Sequence, residues 1–130
     1  MTNLTTHVLD TSIGKPAEGM KIVLFKLNDN NLEMIAEVRT NKDGRLDKQL
    51  LNKSENKGIY EFHFFVGDYF EKCSEQLSDV KFLDEVIIRF GISDNTHYHV
   101  PLLISPFGYS TYRGSWREFG YFLSMGRSIN

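Results

Sequence analysis

Several things are scarce in this sequence, and each scarcity closes off a class of function. Its 130 residues contain one cysteine, Cys73. No intrachain disulfide framework is therefore available, and a reducing compartment is the expectation. Neither sign of charge dominates: 15 basic residues face 17 acidic ones, for a formal net charge of −2. Without a basic stripe there is no footprint for nucleic acid, and without basic–aromatic interleaving there is no platform for single strands. No apolar run approaches the roughly 20 residues of a membrane span. Met1 to His7 lacks the charged and apolar regions of a signal peptide, so a soluble, cytoplasmic protein is expected. Glycine-rich phosphate loops and serine elbows are missing too. Cys73 falls on the apolar side of a predicted helix, so thiol catalysis is not expected. Internal repeats, low-complexity stretches and linkers are not evident, and the length suits one domain. A chain this size buries roughly two thirds of its unfolded surface, enough for one core.

What the sequence does contain is period-two alternation. Leu32, Met34, Ala36 and Val38 are interleaved with Glu33, Glu37 and Arg39, which predicts a half-buried strand. Tyr60, Phe62 and Phe64 alternate with Glu61 and His63, and Val86, Ile88, Phe90 and Ile92 make a third row. Near-continuous apolar or β-branched runs at Leu4 to Leu9, Ile22 to Leu27 and His97 to Ile104 predict three more strands. Breakers such as Ile13-Gly14-Lys15-Pro16 and Asn41-Lys42-Asp43-Gly44 separate them. One segment changes period. Tyr69, Phe70, Cys73 and Leu77 fall at helical spacing, predicting one short helix over Asp68 to Leu77 with Asp68 as its cap. Many short strands and one helix predict an all-β sandwich or barrel.

Three places can carry chemistry. His7 lies in the first predicted strand, on the face opposite Thr6 and Val8. Arg45 leaves the turn Asn41-Lys42-Asp43-Gly44. His97 and His99 share a strand face because side chains repeat every second residue. Each has a plain alternative: a satisfied strand histidine, a solvated charge, a polar pair on an exposed sheet. Residues two apart on a strand lie about 6.6 Å apart, so His97, His99 and His7 are also a conceivable zinc set. No nearby Cys or Asp/Glu completes a ligand spacing, which ranks metal-free acid–base chemistry first.

The motifs, taken in order, resemble one family. Leu4-Thr5-Thr6-His7-Val8-Leu9-Asp10 with Gly14-Lys15-Pro16-Ala17 looks like the opening of the transthyretin-related proteins. Tyr98-His99-Val100-Pro101-Leu102-Leu103-Ile104-Ser105-Pro106, running into Tyr112-Arg113-Gly114-Ser115, resembles their closing signature. Thr40 to Arg45 and Gly58 to Phe62 fall between them. Hormone carriers of the family have replaced the histidines and the terminal Tyr-Arg-Gly-Ser; this chain keeps His7, Arg45, His99 and Tyr112 to Ser115. It is therefore similar to the 5-hydroxyisourate hydrolase branch, and the alternative is a carrier of small ligands without turnover.

The resemblance implies a transthyretin-like two-sheet β-sandwich, assembled as a homotetramer with active sites in a channel between dimers. The implied reaction is hydrolysis of 5-hydroxyisourate, formed by urate oxidation, with no cofactor and no metal. His7 and His99 are the expected proton-transfer pair, and Arg45 the charged fork on substrate oxygens. Tyr112, Arg113, Gly114 and Ser115 are expected to line the pocket, with Tyr112 the direct contact. His97 is expected only to flank the channel, and His63 to be an ordinary polar side chain at the surface. The family usually ends at Tyr-Arg-Gly-Ser, whereas here Trp116 to Asn130 follow, including Phe119, Tyr121, Phe122 and Leu123. The expected division is a hydrolase domain over 1–115 and an extension over 116–130.

Overall fold

The computed structural model describes residues 3–52, 55–73 and 77–114. Its elements run β1 (Leu4–Thr5), β2 (Val8–Asp10), β3 (Lys15–Pro16), β4 (Lys21–Asn28), β5 (Asn31–Arg39) and β6 (Gly58–Phe64). Then come α1 (Val66–Lys72), β7 (Val86–Ile92), β8 (Tyr98–His99), β9 (Leu102–Ser105) and β10 (Gly108–Thr111). One four-stranded sheet has the order β5-β4-β6-β7; a second has the order β10-β9-β2-β3, and β1 pairs with β8. Between the sheets lies one core that includes Tyr60, Phe62, Phe64, Leu102 and Ile104. The predicted all-β sandwich is the architecture found, with a single short helix among the described residues.

Both long predicted strands at the chain ends are interrupted. Leu4 to Leu9 becomes β1 and β2, split at Thr6 and His7; His97 to Ile104 becomes β8 and β9, split at Val100 and Pro101. The interruption does not change the register. Leu4 opposes Tyr98 and Val8 opposes Leu102, both in parallel, with the same offset on either side of the gap. Main-chain bonds run through it: Tyr98 N to Asn3 O (2.8 Å), Val100 N to Thr5 O (3.0 Å), Leu102 N to His7 O (2.9 Å) and Thr11 N to Ile104 O (2.9 Å). At the gap the Thr6 hydroxyl donates to Val100 O at 2.7 Å; Pro101, opposite His7, lacks its N–H on the other edge of the strand, the edge where His99 N donates to Gly114 O. The first and last strands of the domain are thus one parallel ladder with a local fault at His7.

Alternation along that ladder separates two faces. Leu4, Thr6, Val8 and Asp10 are buried with Tyr98, Val100, Leu102 and Ile104, and these make the inner face. Thr5, His7, His97 and His99 take the other. Asp10 accepts a 2.8 Å bond from the Tyr69 hydroxyl, tying α1 to β2.

Some expectations need correction. The helix starts at Val66, two residues before the predicted Asp68, and Phe65 at its N-cap makes no side-chain capping bond. Asp68 instead sits in the first turn, where a negative charge suits the helix dipole. Cys73 ends the helix exposed, not on its buried side, and Leu77 packs against the core from beyond the helix. In β5 only Ala36 is buried; Leu32 and Met34 are exposed, because the one-residue register shift at Leu24/Phe25 sets them opposite Phe25 and Leu27, on the other face of the sheet from Ala36. His63 is no ordinary surface group: its Nε2 meets Glu61 at 2.8 Å and its Nδ1 meets Glu85 at 3.3 Å.

Candidate active site

The site is built on the outer face of the parallel ladder. His7 enters from the gap between β1 and β2, and His99 from β8, and both are buried, at 9% and 1% exposure. Arg45 reaches them because its turn is sewn to the same strand. Val8 N donates to Gly44 O at 2.9 Å, on the edge of the strand away from β9.

Asn41 organises that turn. Its carbonyl accepts Gly44 N at 2.9 Å, its own N–H donates to Arg45 O at 2.8 Å, and its Oδ1 takes Asp43 N (2.8 Å) and Arg45 N (3.1 Å). Gly44 closes the turn at φ +72°, with Val8 O, Pro16 Cβ and His7 Cδ2 crowding the place a Cβ would occupy. Only glycine combines that backbone with so close an approach.

The electrostatics follow from burial beside a fixed cation. Burial, then the Arg45 guanidinium, and then His7 and His97 lower the pKa of His99 to about 4. Burial also lowers that of His7, as does Arg45, while a hydrogen bond to the Asp43 backbone and the Asp43 charge pull the other way. Both rings are held neutral near pH 7, as proton acceptors need to be. The Asp43 bond orients the His7 ring, and the Thr5 hydroxyl, 2.8 Å from Nδ1, orients that of His99. A neutral imidazole pair beside a permanent guanidinium can move protons next to a site that stabilises developing negative charge.

The carboxyl-terminal signature divides between two faces. Gly114 pairs with the His99 backbone, its N–H donating at 2.8 Å and its carbonyl accepting at 3.1 Å. The Arg113 guanidinium instead lies 4.1 Å from the centre of the Tyr98 ring, on the other side of β8 from His99. Tyr112 and Arg113 border a cavity of about 320 Å³ lined also by Ile88, Phe90, Tyr98 and Val100. Within one chain, then, His7, Arg45, His99 and Gly114 come together; the Tyr112 ring reaches the same place, its Cε2 3.3 Å and His99 Cδ2 3.4 Å from where a Cβ on Gly114 would stand, while Arg113 turns to the Tyr98 side. Ser115 and the extension over 116–130 lie outside the described residues. Among the described residues, no group of three or more His, Cys, Asp or Glu is placed to hold a metal ion.

Two participants were not singled out from the sequence. Thr5 contacts both His97 and His99, and its signal was the period of two that puts it on the face of His7. Asn41 had the weaker signal of an Asx residue opening a turn.

Comparison with known proteins agrees with this architecture. The profile described as HIUase/Transthyretin family matches residues 4–114. A protein named 5-hydroxyisourate hydrolase 2, from Rhizobium meliloti (strain 1021), is 53% identical over 114 residues, covering 86% of this chain and 95% of its own. Among solved structures, that of Klebsiella pneumoniae 5-hydroxyisourate hydrolase superposes with a TM-score of 0.74 at 34% identity, covering 88% of this chain and 100% of that one. An (S)-allantoin synthase superposes with a TM-score of 0.82 at 45% identity, covering 88% of this chain but only 44% of that longer one. With the match running from β1 to the Gly114 bridge, the chain belongs to the HIUase/Transthyretin family.

Proposed function

We propose that this chain is a hydrolase that opens 5-hydroxyisourate to 2-oxo-4-hydroxy-4-carboxy-5-ureidoimidazoline in urate catabolism, using His7, Arg45 and His99 without a resident metal. The observation that carries the reading is the faulted parallel ladder, which brings imidazoles from both ends of the chain onto one face beside Arg45. Its relatives of similar length carry the name of that hydrolase.

Opening the ring amide requires water to add to the carbonyl, the oxyanion to be held, and the departing nitrogen to gain a proton. His7 and His99 form the proton-transfer pair, the His7 ring oriented by the Asp43 backbone and that of His99 by the Thr5 hydroxyl. Arg45 presents a rigid fork to the substrate's oxygens. Burial depresses both imidazoles most and the Arg45 charge next; an anionic substrate on Arg45 offsets the second of these.

Residues 1–115 form the hydrolase unit in this reading, in the cytoplasm, and 116–130 are an addition to it. The active assembly is a homotetramer in which Tyr112, Arg113 and Ser115 join the pocket alongside Gly114. Its support is that β7 and β10 are the outer strands of their sheets and expose Ile87 and Tyr109. Unpaired edges of this kind invite a second copy.

The test is ultraviolet loss of freshly generated 5-hydroxyisourate, which also decays alone, with and without protein. Acceleration that survives chelation is expected, with His99→Ala and Arg45→Lys each lowering kcat/KM by about 10² or more. Wild-type turnover in both variants, as tetramers, sinks the scheme. Tight binding of 8-azaxanthine with no acceleration would instead indicate a carrier.

A further inference from the structure

Thr5 stands between two imidazoles. Its Oγ1 lies 2.8 Å from His99 Nδ1 and 2.9 Å from His97 Nε2. A hydroxyl has one proton and two lone pairs, so at most one of the two rings accepts from it, and whenever one does the other must donate. In either such arrangement the two tautomers are set together. In one arrangement His99 Nδ1–H donates to Thr5, Thr5 donates to His97 Nε2, and His99 Nε2 is bare. In the other every bond reverses and His99 Nε2 carries the proton.

We propose that Thr5 is a positioning residue that couples His99 to His97, so that each orientation of its hydroxyl prepares His99 for one half of the reaction. The inference rests on the hydrolase reading above. In the first half, His99 Nε2 takes a proton from the attacking water. The Nδ1 proton passes to Thr5 as the Thr5 proton passes to His97 Nε2, and His97 releases a proton from its other nitrogen to solvent. In the second half, His99 Nε2 gives its proton to the departing ring nitrogen. Thr5 returns a proton to His99 Nδ1, His97 Nε2–H refills Thr5, and His97 regains a proton from solvent. Over the cycle one proton leaves water, one reaches the leaving nitrogen, and the hydroxyl ends as it began.

The surroundings give the coupling a purpose. A proton left on His99 would sit in a fully buried ring facing Arg45, His7 and His97, a poor place for a second cation. His97 is half-buried, closer to water, and its pKa is lowered by burial alone. Moving the charge one residue pair outward relieves the repulsion with no motion of the main chain. The ladder fixes the spacing, since Thr5 opposes His99 in the parallel register.

Three variants test this: Thr5→Val, which keeps shape and loses the hydroxyl; Thr5→Ser, which keeps the hydroxyl; and His97→Gln. Thr5→Val is expected to lower kcat by about 10- to 100-fold with KM little changed, and Thr5→Ser to restore it to within about 3-fold. His97→Gln is expected to move the acid limb of the kcat–pH profile. Rates in H2O/D2O mixtures should show more than one proton in flight for the wild type and one for Thr5→Val. Independently of turnover, 15N spectra of the imidazoles should show the His99 tautomer changing in Thr5→Val and His97→Gln but not in Thr5→Ser. An unchanged His99 tautomer in Thr5→Val, or equal losses of kcat in Thr5→Val and Thr5→Ser, overturns the coupling. A wild-type protein that does not accelerate substrate decay overturns the hydrolase reading instead, and the 15N spectra still decide the hydrogen-bond coupling.

Discussion

A methyl group at Gly44 tests whether Arg45 is positioned by its turn's contact with the first strand. At φ +72° the backbone lies in the left-handed region, which costs an L residue about 1–2 kcal/mol. The added Cβ would stand 2.4 Å from Val8 O, so reaching even 3.0 Å requires the turn and β2 to separate by 0.6 Å. That movement strains the Val8 N to Gly44 O bond, worth about 1 kcal/mol. Gly44→Ala should therefore lose about 2–3 kcal/mol in urea unfolding. Displacement of Arg45 and His7 by over half an ångström should lower kcat/KM by about 10-fold or more. Gly14→Ala is the matched control: it has φ +68° and nothing within 4 Å of the new Cβ. It should lose only the conformational cost and keep wild-type activity. If the two variants lost equal stability and Gly44→Ala kept wild-type kcat/KM, the seam between turn and strand would not be what places Arg45.

Other outcomes follow from the same contacts. His99 is depressed in the folded state, so it carries no penalty above about pH 6.5; as pH falls from there toward 4 the unfolded chain takes up a proton the folded one refuses. Wild type should lose roughly 3 kcal/mol more than His99→Gln across that window, read as urea midpoints at fixed protein concentration; parallel pH profiles would refute it. Tyr69→Phe removes a donor to the buried Asp10 carboxylate and should lower stability by about 1.5–3 kcal/mol, leaving kcat/KM unchanged; an activity loss without a stability loss would contradict a purely structural tie. Glu61→Gln weakens the links to His63 and to Arg89 (2.8 Å from its Nε). Because Arg89 is half exposed, a cost of about 1 kcal/mol is expected in thermal melts, and turnover should be untouched.

The sandwich was legible in the sequence because it depends on period two, and so was the sharing of faces among the candidate residues. The alternation of Val86, Ile88, Phe90 and Ile92 gives β7 its burial, and the same rule put His97 with His99 and set His7 against Thr6 and Val8. Elements of two to four residues were not legible. β3 lies within what reads as a breaker, since Lys15 and Pro16 pair only at the edge, opposite Leu9 and Asp10. β10 is four exposed residues with no buried row to reveal it. Helix α1 was misplaced because its start is decided by the turn at Phe65 and the bond from Gly67 N to Asp84 O, contacts that no local pattern encodes. The bulge that exposes Leu32 and Met34 is likewise a property of the strand pair and not of either strand. The turning of Arg113 onto the Tyr98 ring was hidden for a different reason: a motif read as a unit carries no sign of which face each residue takes.

Parallel pairing of the first and last strands makes assembly of the site inseparable from formation of the core. A slip of one residue by the first strand along this ladder would exchange that strand's faces, driving His7 inward and turning Val8 out. Burying an imidazole in an apolar core while exposing that strand's aliphatic side chains costs several kcal/mol. The native register is therefore held by hydrophobic burial, not by the polar groups that act. Thr6 adds a local lock, its hydroxyl reaching Val100 O where the ladder falters. The fault itself is useful, because a strand that departs from regular pairing at His7 lets its ring settle against the Asp43 backbone.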